Sequence, residues 1–306
     1  MALVDVVVVS YNSAGTIGDC MQPLASAEWV NAIVVDNASE DAGLEMVADL
    51  RATVVPLQRN FGFAYGCNRG WEVGSAPYVL FLNPDARVES ASLHRLAAML
   101  EENTSVGLAA PRIVTADGAL EYSQRRFARL RSTYAQAFFL HRILPLAGWT
   151  DEVVRDRSAY ESRHPVEWVS GACMLVRRRA LEKIGGWDEG FFLYGEDQDL
   201  CRRLWSAGYE VHFDPSELAV HVGGASAPRA GLLPMLASSR IRYAKKHHGR
   251  AAVAVERLGV GVGALTHALL TTKGRAWRTG HLRAMRSALL SAHATSSRSA
   301  RTSLSE

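Results

Sequence analysis

The run Leu3-Val4-Asp5-Val6-Val7-Val8-Val9-Ser10 restricts the fold more than any other stretch of this chain. β-Branched side chains crowd a helix and fit a pleated strand. Here they fill nearly every position instead of every second one. That pattern marks a strand buried on both faces, as in a parallel sheet covered by helices on each side. The residues that follow agree. A helical stretch to about Ala27 precedes strands over 32–35 and 53–57, a helix over 62–73 rich in small residues, and a strand over 78–82. Strands alternating with helices at this pace predict an α/β, doubly wound sheet.

In such sheets ligands bind beyond the carboxyl ends of the strands. Three polar clusters fall there: Tyr11-Asn12-Ser13, Asp36-Asn37-Ala38-Ser39 and Asn83-Pro84-Asp85. Further on, an amphipathic helix is expected over 90–100 and a strand over 108–114 that enters a hairpin turn at Ala116-Asp117-Gly118. Residues 123–165, basic and aromatic with weak periodicity, read as a variable loop region. One buried strand is expected over 167–176, with Gly171 and Ala172 allowing close approach of a ligand or backbone. Another spans 209–213 and stops at Asp214-Pro215, ahead of Ala219-Val220-His221.

The stretch GGWDEGFFLYGEDQDLCRRL, from Gly185 to Leu204, sets an aromatic cluster against Glu196, Asp197 and Asp199. From Asp197 onward the spacing is helical, so Glu196 and Asp197 sit where a glycine-broken loop meets a helix N-terminus. The positive end of a helix favours an ionised carboxylate, a suitable place for a general base. The same acids would also serve as an N-cap with a carboxylate-rich first turn, which needs no chemistry.

The four cysteines, Cys20, Cys67, Cys173 and Cys201, have neither CxxC nor zinc spacing and read as buried or incidental thiols in a reducing compartment. No signal peptide is evident, and no stretch reaches the about 18 apolar residues of a membrane span. The expected location is therefore cytoplasmic. Charge is unevenly spread. Residues 229–306 hold 14 Lys and Arg against 2 Glu, a balance of +12 that leaves −9 on the preceding 228 residues. This predicts a catalytic domain over 1–228 and a basic helical appendage over 229–306, its last dozen residues disordered. Such an appendage suits phosphate, anionic lipid or nucleic acid.

The turn after the first strand, SYNSAGTIG, lacks the G-x-G-x-x-G spacing of dinucleotide sites, and there is no Walker lysine motif. What remains are acids at strand ends, suited to a nucleoside diphosphate with a divalent metal. Asp85 can help hold Mg²⁺ or Mn²⁺ while diphosphate oxygens complete the shell. Asp36 is placed to meet a base or ribose, or simply to form an Asx turn.

With these residues assembled, the chain resembles the family 2 glycosyltransferases over roughly residues 4–245, and more narrowly their bacterial rhamnosyltransferase-like branch. The resemblance rests on VVVVSYNS, VVDNAS, NFGFAYGCNRG, VLFLNPDA, VSGACMLVRR, GGWDEGFFLYGEDQDLCRRL and HVGGAS, in that order. It implies a GT-A type fold, with a Rossmann-like mixed, mostly parallel sheet, and a C-terminal helical appendage. Ser10, Tyr11 and Asn12 would line the nucleotide end, Asp36 would read the pyrimidine, and Asn60, Gly62, Phe63 and Asn68 would wrap the nucleotide. Asn83-Pro84-Asp85 stands in the place of the family's Asp-x-Asp motif, leaving Asp85 as the metal carboxylate. His221 matches a metal-ligand position, or is a structural histidine. Asp197 corresponds to the general base with Glu196 in support, and Trp187 and Asp188 would shape the acceptor site.

The implied activity is metal-assisted, inverting sugar transfer, with Mg²⁺ or Mn²⁺ as cofactor. The donor would be a nucleoside diphosphate sugar, dTDP-rhamnose or a UDP-sugar. The acceptor would be a glycan or a polyprenyl-diphosphate-linked hydroxyl in cell-surface polysaccharide synthesis. The basic tail would make peripheral contact with the inner face of the membrane, and no nucleic acid is expected. An inactive nucleotide-sugar-binding or assembly protein is the alternative, against which the intact Asp85, Asp197 and His221 stand.

Overall fold

A computed structural model describes residues 2–223 and 229–290. Two compact units divide the chain. The first comprises Met1–Arg125, Asp156–Phe192 and Glu196–Ser226, and the second Arg126–Arg155, Leu193–Gly195 and Ala227–Glu306.

The first unit begins with β1 (Val4–Ser10), α1 (Ile17–Ala25), β2 (Val30–Asp36), β3 (Ala52–Pro56) and α2 (Phe63–Val73). It continues through β4 (Tyr78–Leu82), β5 (Ala86–Val88), α3 (Ser90–Glu102), β6 (Val106–Val114) and β7 (Gln124–Arg125). The chain then forms α4 (Leu130–Ala137) and α5 (Leu140–Ile143) of the second unit. Back in the first unit come β8 (His164–Pro165), β9 (Trp168–Val169), β10 (Cys173–Arg177), α6 (Arg178–Ile184), α7 (Glu196–Ser206) and β11 (Glu210–His221).

Hydrogen bonding orders the main sheet β3-β2-β1-β4-β10-β6-β11-β5, with β8 also on β11. Strands β3, β2, β1 and β4 are mutually parallel, as are β6 and β11, while β10 runs antiparallel to both its neighbours. This is the mixed, mostly parallel sheet that the resemblance implies, and the apolar runs predicted its α/β class. Every residue of β1 is buried, because helices cover both faces. Helix α2 lies close to it for a reason visible in its glycines. A Cβ on Gly70 would stand 2.3 Å from Val7 Cγ1, and one on Gly66 2.7 Å from Val9 Cγ1. Ile17, Cys20, Met21 and Leu24 of α1 and Leu93, Leu96, Ala97 and Leu100 of α3 join the core. All four cysteines are buried and free, and burial pushes the thiols of Cys173 and Cys201 up to about 12. They are chemically quiet.

Several expected elements take another form. The strand expected over 167–176 is two, β9 and β10, broken at Ser170-Gly171-Ala172. The stop expected at Asp214-Pro215 is an irregularity within β11, where the register to β6 shifts between Asp214 and Leu218. Proline cannot donate to a ladder, and a bulge accommodates it. Residues 123–165 contain α4 and α5 instead of only loop. The 224–226 part of the HVGGAS motif and the last dozen residues lie outside the described residues.

In the second unit α8 (Arg229–His247), α9 (Arg250–Leu270) and α10 (Arg275–Leu290) pack around Ala237, Ile241, Ala264, Ala284 and Ala288. Small residues bring the helices close together. A Cβ on Gly259 would meet Thr133 and Tyr134 of α4, and one on Gly261 would meet Leu289. A buried ion cluster crosses this core, with Arg240 Nε on Glu256 and Nη2 on Glu152, both at 2.5 Å. Helix α9 also corrects the reading that nothing here reaches the length of a membrane span. It extends back to Arg250, and its 21 residues are long and apolar enough to cross a membrane by length and composition. Ala251 to Val255 extend the apolar stretch over 258–270 into one helix.

Candidate functional site

Parallel register sets three strand ends side by side. Ser10 pairs with Asp36, and Val8 with Leu82, so the chain leaves β1, β2 and β4 along one edge of the sheet. The loops there are tied to one another. Asn12, in the left-handed region at φ 53°, donates its N–H to Ser39 Oγ and accepts the Glu40 N–H on Oδ1. Both oxygens of Asp36 accept from Ser39 N–H at 3.3 Å, so this 6 % exposed carboxylate closes its own turn. Tyr11 is half-buried beside them. Ser10, expected to line the nucleotide end, is fully buried and does not reach the surface. Its place inside the first strand's last pleat explains this.

A second junction is built on Asn37, which sequence reading passed over. Its amide donates to Asn60 Oδ1 and to the Gly62 carbonyl, and its Oδ1 accepts from Phe61 N–H. Asn60 Oδ1 also accepts from Gly62 N–H. Gly62 turns the chain into α2 at φ 95°, and a Cβ there would lie 2.4 Å from the Phe192 carbonyl oxygen. Only glycine fits that combination. Gly62→Ala is therefore expected to cost about 1–3 kcal/mol, read as a lower urea midpoint with an unchanged slope.

Two expected contact residues turn inward. Asn68 was expected to wrap a nucleotide, but its hydrogen-bonding capacity is spent within the protein. Nδ2 donates to the Trp187 carbonyl and Glu189 Oε1, and Oδ1 accepts from Trp187 N–H and Trp71 Nε1. It clamps α2 to the loop after α6. Trp187, expected at the acceptor site, is 2 % exposed and meets Phe63 and Phe81 edge-on. It can shape a site only through Phe63, whose ring is half-buried. Asp188 accepts from Gly190 N–H and holds its own turn.

At the start of α7 the three acids part company. Asp199 is fully buried and paired with Arg203 at 2.7 Å, so it is structural. Glu196 is 5 % exposed and turned inward, near enough to Cys67 to add to the rise that burial chiefly causes in that thiol's pKa. Asp197 alone is half-buried. Its Oδ1 accepts from Gln198 N–H at 2.8 Å and its Oδ2 from Gly171 N–H at 3.2 Å. Burial pushes its carboxyl above the usual carboxylate range, against those N–H groups and the nearby Arg125 charge. The expectation that the helix end would govern this carboxyl is reversed, because desolvation outweighs it. The break at Gly171 has its reason here. It turns the Gly171 N–H onto Asp197, while a Cβ there would make only ordinary contact, 3.7 Å from the Asp197 Cβ and 4.0 Å from the Phe63 ring.

Asp85 lies beyond β4, joined to the Gly171 segment by the Asn83 N–H, which donates to the Ala172 carbonyl. Strand pairing of His221 with Ala86 brings imidazole and carboxylate together, His221 Nε2 standing 3.3 Å from Asp85 Oδ1. The other ring nitrogen, Nδ1, is 2.9 Å from Glu121 Oε2. Burial alone would lower the imidazole's pKa, but the two carboxylates raise it to about 9. Glu121 was missed because it lies 100 residues from His221, and the hairpin return from Asp117-Gly118 carries no mark of its partner.

Comparison with known proteins decides what this arrangement belongs to. The profile described as Glycosyl transferase family 2 matches residues 5–185. The chain belongs to glycosyl transferase family 2. A profile described as the N-terminal domain of galactosyltransferase matches residues 152–221, which include Asp197 and His221. An N-acetylglucosaminyl-diphospho-decaprenol L-rhamnosyltransferase of Mycobacterium tuberculosis is 30% identical over 244 residues, 74% of this chain and 78% of that protein. The rhamnosyltransferase WbbL of Escherichia coli is 32% identical over 145 residues, 47% of this chain and 52% of that protein.

Among solved structures, a mannosyltransferase of Pyrobaculum calidifontis in complex with GDP-Man and Mn²⁺ aligns at TM-score 0.56 and 16% identity, over 94% of this chain and 85% of that one. GalNAc-T7 with UDP, GalNAc and Mn²⁺ aligns at 0.55 and 13% identity, over 80% of this chain and 50% of that one. These likenesses show the fold, which is GT-A. The chain is thus a rhamnosyltransferase-like glycosyltransferase with a C-terminal set of helices.

Members of this family imply a divalent metal, for which Asp85 and His221 are the candidate donors. Asp85 and His221 offer an oxygen and a nitrogen side by side, suited to Mn²⁺. Metal-binding histidines commonly give their second ring N–H to a carboxylate, as His221 does to Glu121. Among the described residues no group of three or more His, Cys, Asp or Glu is arranged to hold an ion. Two side-chain donors fall short of a full shell, so an ion bound here would have to share it with substrate oxygens and water.

Proposed function

We propose that this protein transfers a sugar, with inversion, from a nucleoside diphosphate donor to a hydroxyl of a glycan or polyprenyl-diphosphate-linked acceptor. The observation that carries the reading is Asp197, the one half-buried acid of its helix turn, held by two backbone N–H groups with its pKa raised by burial. A raised pKa makes the carboxylate a stronger proton acceptor, provided it is ionised at the working pH. Asp197 takes the acceptor proton as the oxygen attacks the anomeric carbon, and the bond to the donor diphosphate breaks on the opposite side. Gly171 and Gln198 orient the carboxylate, and Arg125 keeps its charge tolerable. Glu196 supports it from the core side, and Trp187 backs Phe63 beneath the reacting groups.

Asp85 and His221 would hold a divalent ion, Mn²⁺ or Mg²⁺, which supplies positive charge for the departing diphosphate. Tyr11, Asn12, Asp36, Asn60 and Gly62 form the rim on which the nucleotide rests, by backbone shape more than by free side-chain donors. Rhamnose as the sugar is supported by the names of the relatives, and deoxythymidine diphosphate as its carrier follows only from the resemblance to the rhamnosyltransferase-like branch. The lipid-linked acceptor of the mycobacterial relative supports a polyprenyl-linked acceptor here, reached from the cytoplasmic face of the membrane.

Thermal-shift screening of dTDP-rhamnose, UDP-sugars and GDP-mannose, with and without Mn²⁺, tests the reading. The expected result is one donor that stabilises, more strongly with metal; about 2.7 kcal/mol accrues at a hundred-fold excess over Kd. In Asp85→Ala the metal-dependent part of that shift should vanish. A shift that persists undiminished in this variant would remove Asp85 from the metal site, and no shift with any donor would overturn sugar transfer.

A further inference from the structure

The second unit carries an apolar surface that sugar transfer does not use. After α4, Phe138, Ile143, Leu144, Leu146 and Trp149 are exposed, Ile143 and Leu146 at 72 % each. The end of α9 adds Leu269 and Leu270, at 70 % and 67 %. The segments that carry the two sets touch each other. Phe139 packs on His267 with ring centroids 4.3 Å apart, and Thr266 Oγ1 donates to the Ala137 carbonyl. His267 meets His281 at 5.4 Å and Trp277 lies 6.1 Å from His281, which ties the start of α10 to the same place.

Cations border these side chains. The Arg142 guanidinium sits over the Phe139 ring at 4.6 Å and Lys273 Nζ over Trp277 at 4.5 Å, with Arg275 and Arg278 exposed beside them. Acids are missing from the sequence here. There is no Asp or Glu from Arg257 to Leu290, and none from Phe138 to Thr150.

We propose that this face rests on an anionic lipid bilayer, with Ile143, Leu144, Leu146 and Leu269 in the headgroup–acyl boundary and the Arg and Lys side chains on the phosphates. A bilayer surface supplies apolar depth and negative charge together, and Trp149 and Trp277 suit its interface. A second copy of the chain fits less well. In an isologous contact Arg142, Lys273, Arg275 and Arg278 would face their own copies with no acid to pair them. Helix α9 lies along this surface instead of crossing the membrane. Its first half is committed to the protein, through Glu256 bound to Arg240 and Thr133, and through Gly259 and Gly261 against α4 and α10. Val255, Leu258 and Leu265 are partly open as well, and exposure is greatest at its carboxyl end, at Leu269 and Leu270. The surface is independent of which sugar is transferred, and flotation needs no turnover.

The test is flotation of the full chain with phosphatidylcholine vesicles, with and without phosphatidylglycerol, at low and high salt. The parent is expected to float with the phosphatidylglycerol vesicles and to be released by salt. Ile143→Glu with Leu146→Glu should lower the bound fraction about ten-fold. Both positions are exposed, so the melting temperature should hold. Lys273→Gln with Arg275→Gln should weaken only the salt-sensitive part. Arg298→Gln with Arg301→Gln, which follow α10 in the sequence, should float as the parent does. A parent that stays down, a double-Glu variant that floats like the parent, or flotation lost only with Arg298 and Arg301 would each overturn the proposal. So would a dimer in sedimentation that the double-Glu substitution splits without any vesicle binding.

Discussion

Asp197→Asn is expected to cut kcat by about 10²–10⁴-fold while leaving donor affinity nearly intact. The amide keeps the shape of the carboxylate, and its single oxygen can still accept from one of Gln198 and Gly171, while its NH2 meets the other N–H and that hydrogen bond is lost. What it cannot do is take a proton. The same substitution should stabilise the fold at neutral pH, and the sign follows from the raised pKa. A carboxyl whose folded pKa exceeds its unfolded value contributes stability that is fully present below the unfolded value. Its advantage is lost as pH rises through the folded pKa. The parent therefore bears the cost of a desolvated charge at pH 7, and the amide does not. Melting temperature against pH reads this directly: the variant should lead at pH 7, and the gap should close in acid. Retained turnover would move the base to Glu196, since Asp199 is already bound to Arg203.

For stability the largest loss is expected from Asp5→Ala, in the strand that opens the chain. An acid inside a fully buried strand must be paired and hydrogen-bonded. Asp5 is 1 % exposed and meets every requirement: Oδ2 accepts from Arg178 at 2.5 Å and Ala76 N–H at 2.8 Å, and Oδ1 from Asn31 at 2.8 Å. It thus joins β1 to β2, to the entry of β4 and to α6. Its removal strands the Arg178 guanidinium, whose side chain is 12 % exposed, without its counter-charge. Breaking a buried pair in this way costs about 3–5 kcal/mol. Urea unfolding should show a midpoint lowered by that amount, whereas Asp5→Asn, which keeps part of the hydrogen bonding, should lose less. A loss within about 1 kcal/mol would mean that water reaches Arg178 and solvates it.

How far the site could be read in advance varied with the range of the interactions involved. The strand ends at Ser10, Asp36 and Asn83 were legible as a set, because apolar runs and the polar residues that stop them are local facts. Parallel pairing then puts them in register whatever their side chains do. The ordered motifs carried the family as well. Their individual roles were less legible. Asn68 and Trp187 have the residue types of a binding site, yet both are taken up by packing between α2 and the loop after α6. Glu121 and Arg125 sit in a stretch without periodicity and gain meaning only from His221 and Asp197.

Sequence alone determined the α/β class, the core strands β1, β2 and β4, the place of the ligand edge and the candidate acids beside it. Hydrophobic burial dictates these, and it is written residue by residue. Only the tertiary structure decided which acid of Glu196, Asp197 and Asp199 stays within reach of solvent. It alone decided that the strand breaks at Gly171 to turn an N–H on Asp197, and that His221 bridges Asp85 and Glu121. Those outcomes depend on desolvation and on charges brought together across as many as 173 residues, as between Asp5 and Arg178. Such sums exist only once the chain has folded.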